Sequence, residues 1–139
     1  MRLSRMTFVS ADGSATELTV EADAGLVDSQ TNRAQLQQVH AQWAASDGQK
    51  SLDVVCERGE VNLATNDFVA LGNVRGVLGD GRRFQSPSMH YDHAKGDAYT
   101  DTPVEIFDQG RTLRGGGFRY HVRDGKLRLT SGASVVEKP

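Results

Sequence analysis

Four eight-residue windows of the chain align without gaps, and this self-similarity constrains the fold more than any other feature. They run from Val20, Val54, Phe84 and Leu113, with starts 34, 30 and 29 residues apart. Each opens on a large apolar residue and carries a small one two places later (Ala22, Cys56, Ser86, Gly115). Each closes on two apolar or glycine positions: Gly25 and Val27, Gly59 and Val61, Met89 and Tyr91, Phe118 and Tyr120. Period-two alternation marks a strand with one buried face. The change from even to odd offset predicts a one-residue irregularity within every window, most simply a β-bulge. Pro87 and the run Gly115-Gly116-Gly117 stand at that change, where a ladder already broken tolerates them.

Turn signals keep the same rhythm. Asp47-Gly48, Asp80-Gly81 and Gln109-Gly110 each precede a window. A second polar turn follows each one, at residues 30–32, 65–67, 93–96 and 123–125. Such residues supply the positive φ of tight hairpins. A further strand is expected between each second turn and the next Asp-Gly or Gln-Gly signal: near 36–43, over Phe68 to Leu78 and Ala98 to Phe107, and last near 127–136. The Gln- and Ala-rich stretch from Asn32 to Ala45 has helical propensity. Register argues for a strand, because Val39 stands 35 residues before Val74 and Val74 stands 30 before Val104. Short antiparallel strands at this spacing describe a sandwich, jelly roll or open roll. The unequal periods exclude an exact solenoid, and an aromatic share of 6% argues against a propeller.

The 139 residues fit one domain, with a thin apolar share of 37% and 15 glycines. A net charge of −2 argues against nucleic acid. The one cysteine, Cys56, forbids an intrachain disulfide. It fills the small-residue slot of its window and is expected to be a buried, inert thiol. No stretch reaches the roughly 18–20 apolar residues of a membrane span, and no signal segment opens the chain. Met1 is expected to be a start placed after a removed segment. The segment His90-Tyr91-Asp92-His93 has ligand-type residues but no familiar metal spacing, and a solvated turn is expected there. No Gly-x-Ser-x-Gly elbow occurs, and no Lys-Ser/Thr follows the glycine run. Neither an enzyme site, a metal nor a cofactor is expected.

The segments Glu21-Ala22-Asp23, Cys56 to Val61, Leu71-Gly72-Asn73-Val74, Thr102-Pro103-Val104 and Leu113 to Phe118 resemble a known repeat. It is the lipopolysaccharide-export β-jelly-roll repeat shared by LptA, the periplasmic part of LptC and the N-terminal domain of LptD. The resemblance covers about Leu18 to Val136. Two features point to the LptC type: Asp101-Thr102-Pro103-Val104 ahead of the glycine run, and the ending Leu127-Arg128-Leu129 with Ser134-Val135-Val136. LptC-type proteins carry an N-terminal membrane helix that this sequence lacks, which keeps an LptA-like soluble bridge protein as an alternative.

The resemblance implies an all-β fold, an open antiparallel β-jelly roll, as a single periplasmic domain over 1–139. It implies a non-catalytic carrier of lipopolysaccharide in a Gram-negative periplasm, tethered to the inner membrane. The lipid-binding groove would hold Val20, Ala22, Val54, Cys56, Phe68, Ala70, Val74, Phe84, Met89, Val104, Ile106, Leu113, Phe118 and Tyr120. The pattern alone favours an ordinary filled sandwich core, as in a structural β-interaction module, and it is the resemblance that points to a lipid groove. An enzyme acting on carbohydrate has least support. Arg82 and Arg111 occupy equivalent places before their windows and form a candidate rim for lipid phosphates. Open edges accept partner strands. By resemblance the N-terminal edge, with Phe8 and Val9, would meet the LptF/LptG jelly rolls. The C-terminal edge, with Leu127, Leu129 and Val135, would meet LptA.

Overall fold

The computed structural model describes residues 2–10, 16–45, 50–122, 125–130 and 134–137. The turns expected at Asp47-Gly48 and Arg123-Asp124 lie outside them. Every regular element described is a strand: β1 (Arg2–Ser10), β2 (Thr16–Asp28), β3 (Arg33–Ala45), β4 (Lys50–Asn62), β5 (Phe68–Leu78), β6 (Arg83–Asp92), β7 (Asp97–Thr100), β8 (Val104–Asp108), β9 (Arg111–Gly115), β10 (Gly117–His121), β11 (Lys126–Thr130) and β12 (Ser134–Glu137). The stretch with helical propensity is β3, because tertiary pairing on both sides outweighs a weak local preference. The first six strands form an antiparallel meander.

The inward step lengthens once in each long strand. Consecutive buried positions lie two residues apart, then three: Ala22 to Gly25, Leu36 to Val39, Cys56 to Gly59 and Ser86 to Met89. These long steps lie side by side, since Ala22 pairs with Val39 and Val39 with Cys56, while Gly25 pairs with Leu36 and Leu36 with Gly59. The result is a crease running across the sheet. It folds the sheet into two layers whose inner faces meet, as in a two-sheet sandwich. Layer I holds residues 6–10, 16–22, 39–45, 50–56, 74–78 and 83–86 with β8, β9 and β12. Layer II holds residues 2–4, 24–28, 33–37, 58–62, 68–71 and 88–92 with β7, β10 and β11.

A bulge in every window is therefore corrected. The β1–β2 and β2–β3 ladders cross the crease without a change of register, and so does β3–β4. When neighbours take the same extra residue at the same place, none slips against the next. The extra residue relative to both neighbours sits in β5, where the inward step from Ala70 to Val74 is four residues. Gly72 and Asn73 make that step with φ of 80° and 52°. Such left-handed backbone favours glycine and asparagine.

The fourth window is also not one strand. Past β6 the crease becomes a break: residues 101–103 separate β7 from β8, and Gly116 separates β9 from β10. One arm runs β6-β7-β10-β11 in layer II, and the other runs β6-β8-β9-β12 in layer I. A Cβ on Gly117 would stand 2.4 Å from the Thr100 carbonyl oxygen, so the passage between layers requires a glycine there. Pro87, which has no N–H to give, lies where β6 changes partner from β8 to β7. Hydroxyls hold the break closed beside it. Ser86 Oγ lies 2.9 Å from Thr102 Oγ1 and donates to the Pro103 carbonyl at 3.1 Å. Thr102 Oγ1 also lies 2.6 Å from Thr100 Oγ1 and 3.2 Å from Ser88 Oγ.

Aromatic rings join the layers. Trp43 in layer I meets Tyr91 at 5.0 Å and Phe68 at 5.9 Å in layer II. Phe84 in layer I meets Phe118 in layer II at 5.0 Å. Tilted and edge-on pairs of this kind add about 0.5–1.5 kcal/mol beyond the area they bury. Glycines make room for the rings: Phe84 lies over Gly76, its strand partner, and Phe68 lies over Gly59. Cys56, at the crease, is buried, and its Sγ donates to the Arg58 carbonyl at 3.1 Å. Burial, the largest influence, pushes its pKa up from 9.0 to about 11, against lowering by backbone hydrogen bonds.

Two outcomes follow from this packing. A Cβ at Gly76 would stand 2.2 Å from the Phe84 ring. Gly76→Ala is therefore expected to cost about 1–3 kcal/mol in urea unfolding, and Gly76→Ala with Phe84→Leu to cost less than the two singles summed. For Cys56, the neutral thiol is the form the fold favours. Its stabilisation is complete below about pH 9 and falls away as pH rises to about 11. The stability difference between the wild type and Cys56→Ala, followed by denaturant titration, should shift in the variant's favour across that window.

Candidate functional site

The inner faces of the two layers form the candidate site. One inward row crosses layer I through successive ladder partners: Val20, Ala41, Val54, Gly76, Phe84, Ile106 and Leu113. Another crosses layer II through Gly25, Leu36, Gly59, Ala70 and Met89. Large and small residues are mixed along both, and rings fill spaces left by glycine, as Phe84 does over Gly76 and Phe68 over Gly59. All fourteen residues expected to line a groove point into this interior. Thirteen are buried, and Leu113 is partly buried against them. Among the described residues, the buried polar side chains are Ser86, His93, Thr100 and Thr112, and none is an acid, lysine or arginine.

The interior is closed. Val20, Val54, Phe68, Ala70, Met89 and Ile106 have no exposure. The larger hollows lie instead on the outer faces. One of about 490 Å³ sits beside the crease, over Gly25 and Gly59, between Leu26, Gln37, Arg58 and Leu71. Another of about 540 Å³ lies on layer I among Val55, Arg75, Val77, Arg83 and Phe107. Both hollows are lined in part by charged side chains, Arg58 in the first and Arg75 and Arg83 in the second, whereas the packed interior holds no acid, lysine or arginine among the described residues.

Several lining residues carry no mark in the four windows. Leu18, Leu36, Val39, Ala41, Trp43, Leu52 and Leu78 are buried with the rest. The signal for β3 was present as the series 34, 36, 39, 41 and 43, which repeats the windows' own two-then-three spacing. Tyr91, the closing residue of the third window, lies against Trp43.

The rim arginines are distributed differently from their sequence equivalence. Arg82 Nε donates to Asp80 Oδ2 at 2.7 Å, and its Nη2 lies 2.6 Å from the same oxygen. The hydrogen bond from Arg82 holds the Asp80 carboxyl below its ordinary range. Arg82 is thus committed within its own turn. A hollow of about 300 Å³ brings Arg111 together with Arg83, beside Gly81 and Phe107.

The solvated turn expected at residues 90–93 is corrected. His90 to Asp92 belong to β6, and His90 stacks on Tyr99 at 5.3 Å. His93 is buried, with its N–H donated to Asp67 Oδ1 at 2.9 Å and its Nδ1 3.2 Å from the Tyr91 hydroxyl. Pairing to β7 carries the segment into the sheet. No group of residues able to hold a metal occurs among the described residues.

The roll has two open ends. Among the described residues β1 pairs with β2 alone, Phe8 opposite Val20, and Val9 is 57% exposed. At the other end the single edge expected from Leu127 to Val136 is two strands. β11, with Leu127 and Leu129 partly buried against the core, ends layer II. β12, with Val135 opposite Leu113, ends layer I. β11 and β12 thus lie in different layers, as β10 and β9 do: past β6 each layer continues by itself.

The sequence matches the family model described as lipopolysaccharide-assembly, LptC-related, over residues 1–136. No curated protein matches it. Among solved structures it is similar to LptH of Pseudomonas aeruginosa, described as the LptA homologous periplasmic component of the conserved lipopolysaccharide transport device. That likeness has a TM-score of 0.68 at 12% identity and covers 88% of this chain and 95% of that one. It shows a shared fold, the LptA-like jelly roll. With a creased two-layer roll, open at both ends, and a family match over nearly all its length, the chain belongs to the LptC-related lipopolysaccharide-assembly family.

Proposed function

We propose that this protein is a non-catalytic component of the periplasmic bridge that binds lipopolysaccharide and passes it from the inner-membrane transporter towards the outer membrane. An N-terminal helix, as in LptC-type proteins, would tether it to the inner membrane. Strand addition at β1 would join it to the LptF/LptG jelly rolls, and addition at β11 and β12 would join it to LptA. The observation that carries the reading is the interior: apolar, free of charge among the described residues, and continuous between two open ends. Such a surface holds acyl chains at about 0.8 kcal/mol per CH₂ removed from water, without specific polar contacts. It offers binding and no group poised for chemistry.

The closed packing sets a condition on this mechanism. Acyl chains enter only where the layers part. β1 to β6 tie them, and β2 to β6 do so through continuous strands, whereas the arms beyond β6 are joined by residues 101–103, Gly116 and the hydroxyl cluster. The β11/β12 end is therefore the easier one to open, and Phe118 against Phe84 is the ring contact that must yield. The near-zero exposure of the interior also favours a second reading, a filled-core interaction module. A photo-crosslinking residue in place of Phe118 separates the two. It should capture lipopolysaccharide in cells, while the same residue at exposed Phe107 on the outer face should not. No adduct at Phe118, under conditions where an established carrier gives one, would overturn lipid carriage and leave the interaction module.

A further inference from the structure

We propose that the free edge of β11 selects its partner by charge: the incoming strand is acidic opposite Arg128 and Lys126 and apolar at the positions between. This deepens the strand-addition reading above and rests on it.

One outward row leads to this edge through Val69, His90, Tyr99, Arg119 and Arg128, each the ladder partner of the next. The His90 and Tyr99 rings are stacked, 17° from parallel. The Arg119 guanidinium lies 5.0 Å from the centre of the Tyr99 ring. These planar groups brace one another up to Arg119. Arg128 then stands directly opposite Arg119, and both are exposed. Like charges facing each other across a ladder are destabilising. Neither arginine meets a carboxylate among the described residues. Among the described residues β11 has β10 as its one ladder neighbour, so the next place in the row belongs to an added strand. A carboxylate there lies beside Arg128 and within reach of the field of both guanidinium groups.

The neighbouring positions extend the pattern. Lys126 shares the outward face of β11 with Arg128 and is paired with His121. Leu127 and Leu129 point inward, opposite Tyr120 and Phe118, and are only partly buried. An added strand continues the outward rows with its acids and covers these two leucines with its apolar residues. Alternation of period two gives acid–apolar–acid–apolar in either strand direction. The partner is thus a different protein rather than a second copy. The chain's own β1 is not such a strand, because Arg2 to Ser10 contain no aspartate or glutamate and two arginines.

The test uses the whole chain and labelled peptides of about ten residues that alternate Glu with Val or Lys with Val, read by fluorescence anisotropy at low salt. The wild type should prefer the Glu peptide by about fivefold, as an exposed ion pair at Arg128 with Arg119 facing it allows. The preference should shrink as salt rises. Lys126→Glu with Arg128→Glu should reverse it. Equal binding of both peptides, or an acid preference that survives the reversal, would overturn charge selection while leaving strand addition intact. Binding of neither peptide would overturn strand addition at this edge. A wild-type dimer in sedimentation that Arg128→Glu disperses would overturn the proposal in favour of a second copy.

Discussion

A strand that buries one face must keep its period of two, and a sheet that folds back on itself must break it. The chain meets both demands by lengthening the inward step at one shared place in its long strands. Ala22, Val39 and Cys56 end the run of layer I, and Gly25, Leu36 and Gly59 begin that of layer II. Because the change is simultaneous, pairing survives it, and one hydrogen-bonded sheet serves as both layers. Everything else in the molecule depends on this line. It sets which side chains face inward on each side, it brings Trp43 over Tyr91, and it leaves the two arms beyond β6 free to diverge.

The crease concentrates the unusual chemistry of the chain. Gly72 and Asn73 turn the backbone left-handed in β5, and Gln38 does the same in β3 with φ of 54°. Pro87, with no N–H to give, stands within β6 where its partner changes from β8 to β7. The hydroxyls of Ser86, Ser88, Thr100 and Thr102 then take the place of the missing ladder bonds. Polar groups buried at a fold line are tolerable only when paired with one another, because each unpaired one costs about 1–3 kcal/mol. Here they are paired, and they are also the main polar link between the arms.

Much of this was legible in the sequence. The four windows located the long step in β2, β4 and β6, with the inward residues on either side. They did not reveal that the steps are aligned, because alignment is a relation between strands that no single window contains. Reading each irregularity separately leads to a bulge, whereas reading them together leads to a fold line. The fourth window is the instructive case. Leu113 and Phe118 obey the pattern, yet they belong to different strands in different layers, and the glycine run is the passage between them. Arg82 pairs with a carboxylate two positions away, and position in a repeat says nothing about such a neighbour. The inward-facing positions were legible in advance. Their closed packing was not, because volume complementarity such as Phe84 over Gly76 appears only when strands are side by side.

The shared register of the crease bears on how such a molecule changes length over evolutionary time. A strand–turn–strand unit of about thirty residues carries its own long step at a fixed distance from its turns. A duplicated unit inserted between two others would therefore align its fold line with theirs and extend both layers together, with no adjustment elsewhere. Loss of a unit would shorten the roll in the same way. Modularity here comes from phase: each unit is interchangeable because it bends where its neighbours bend.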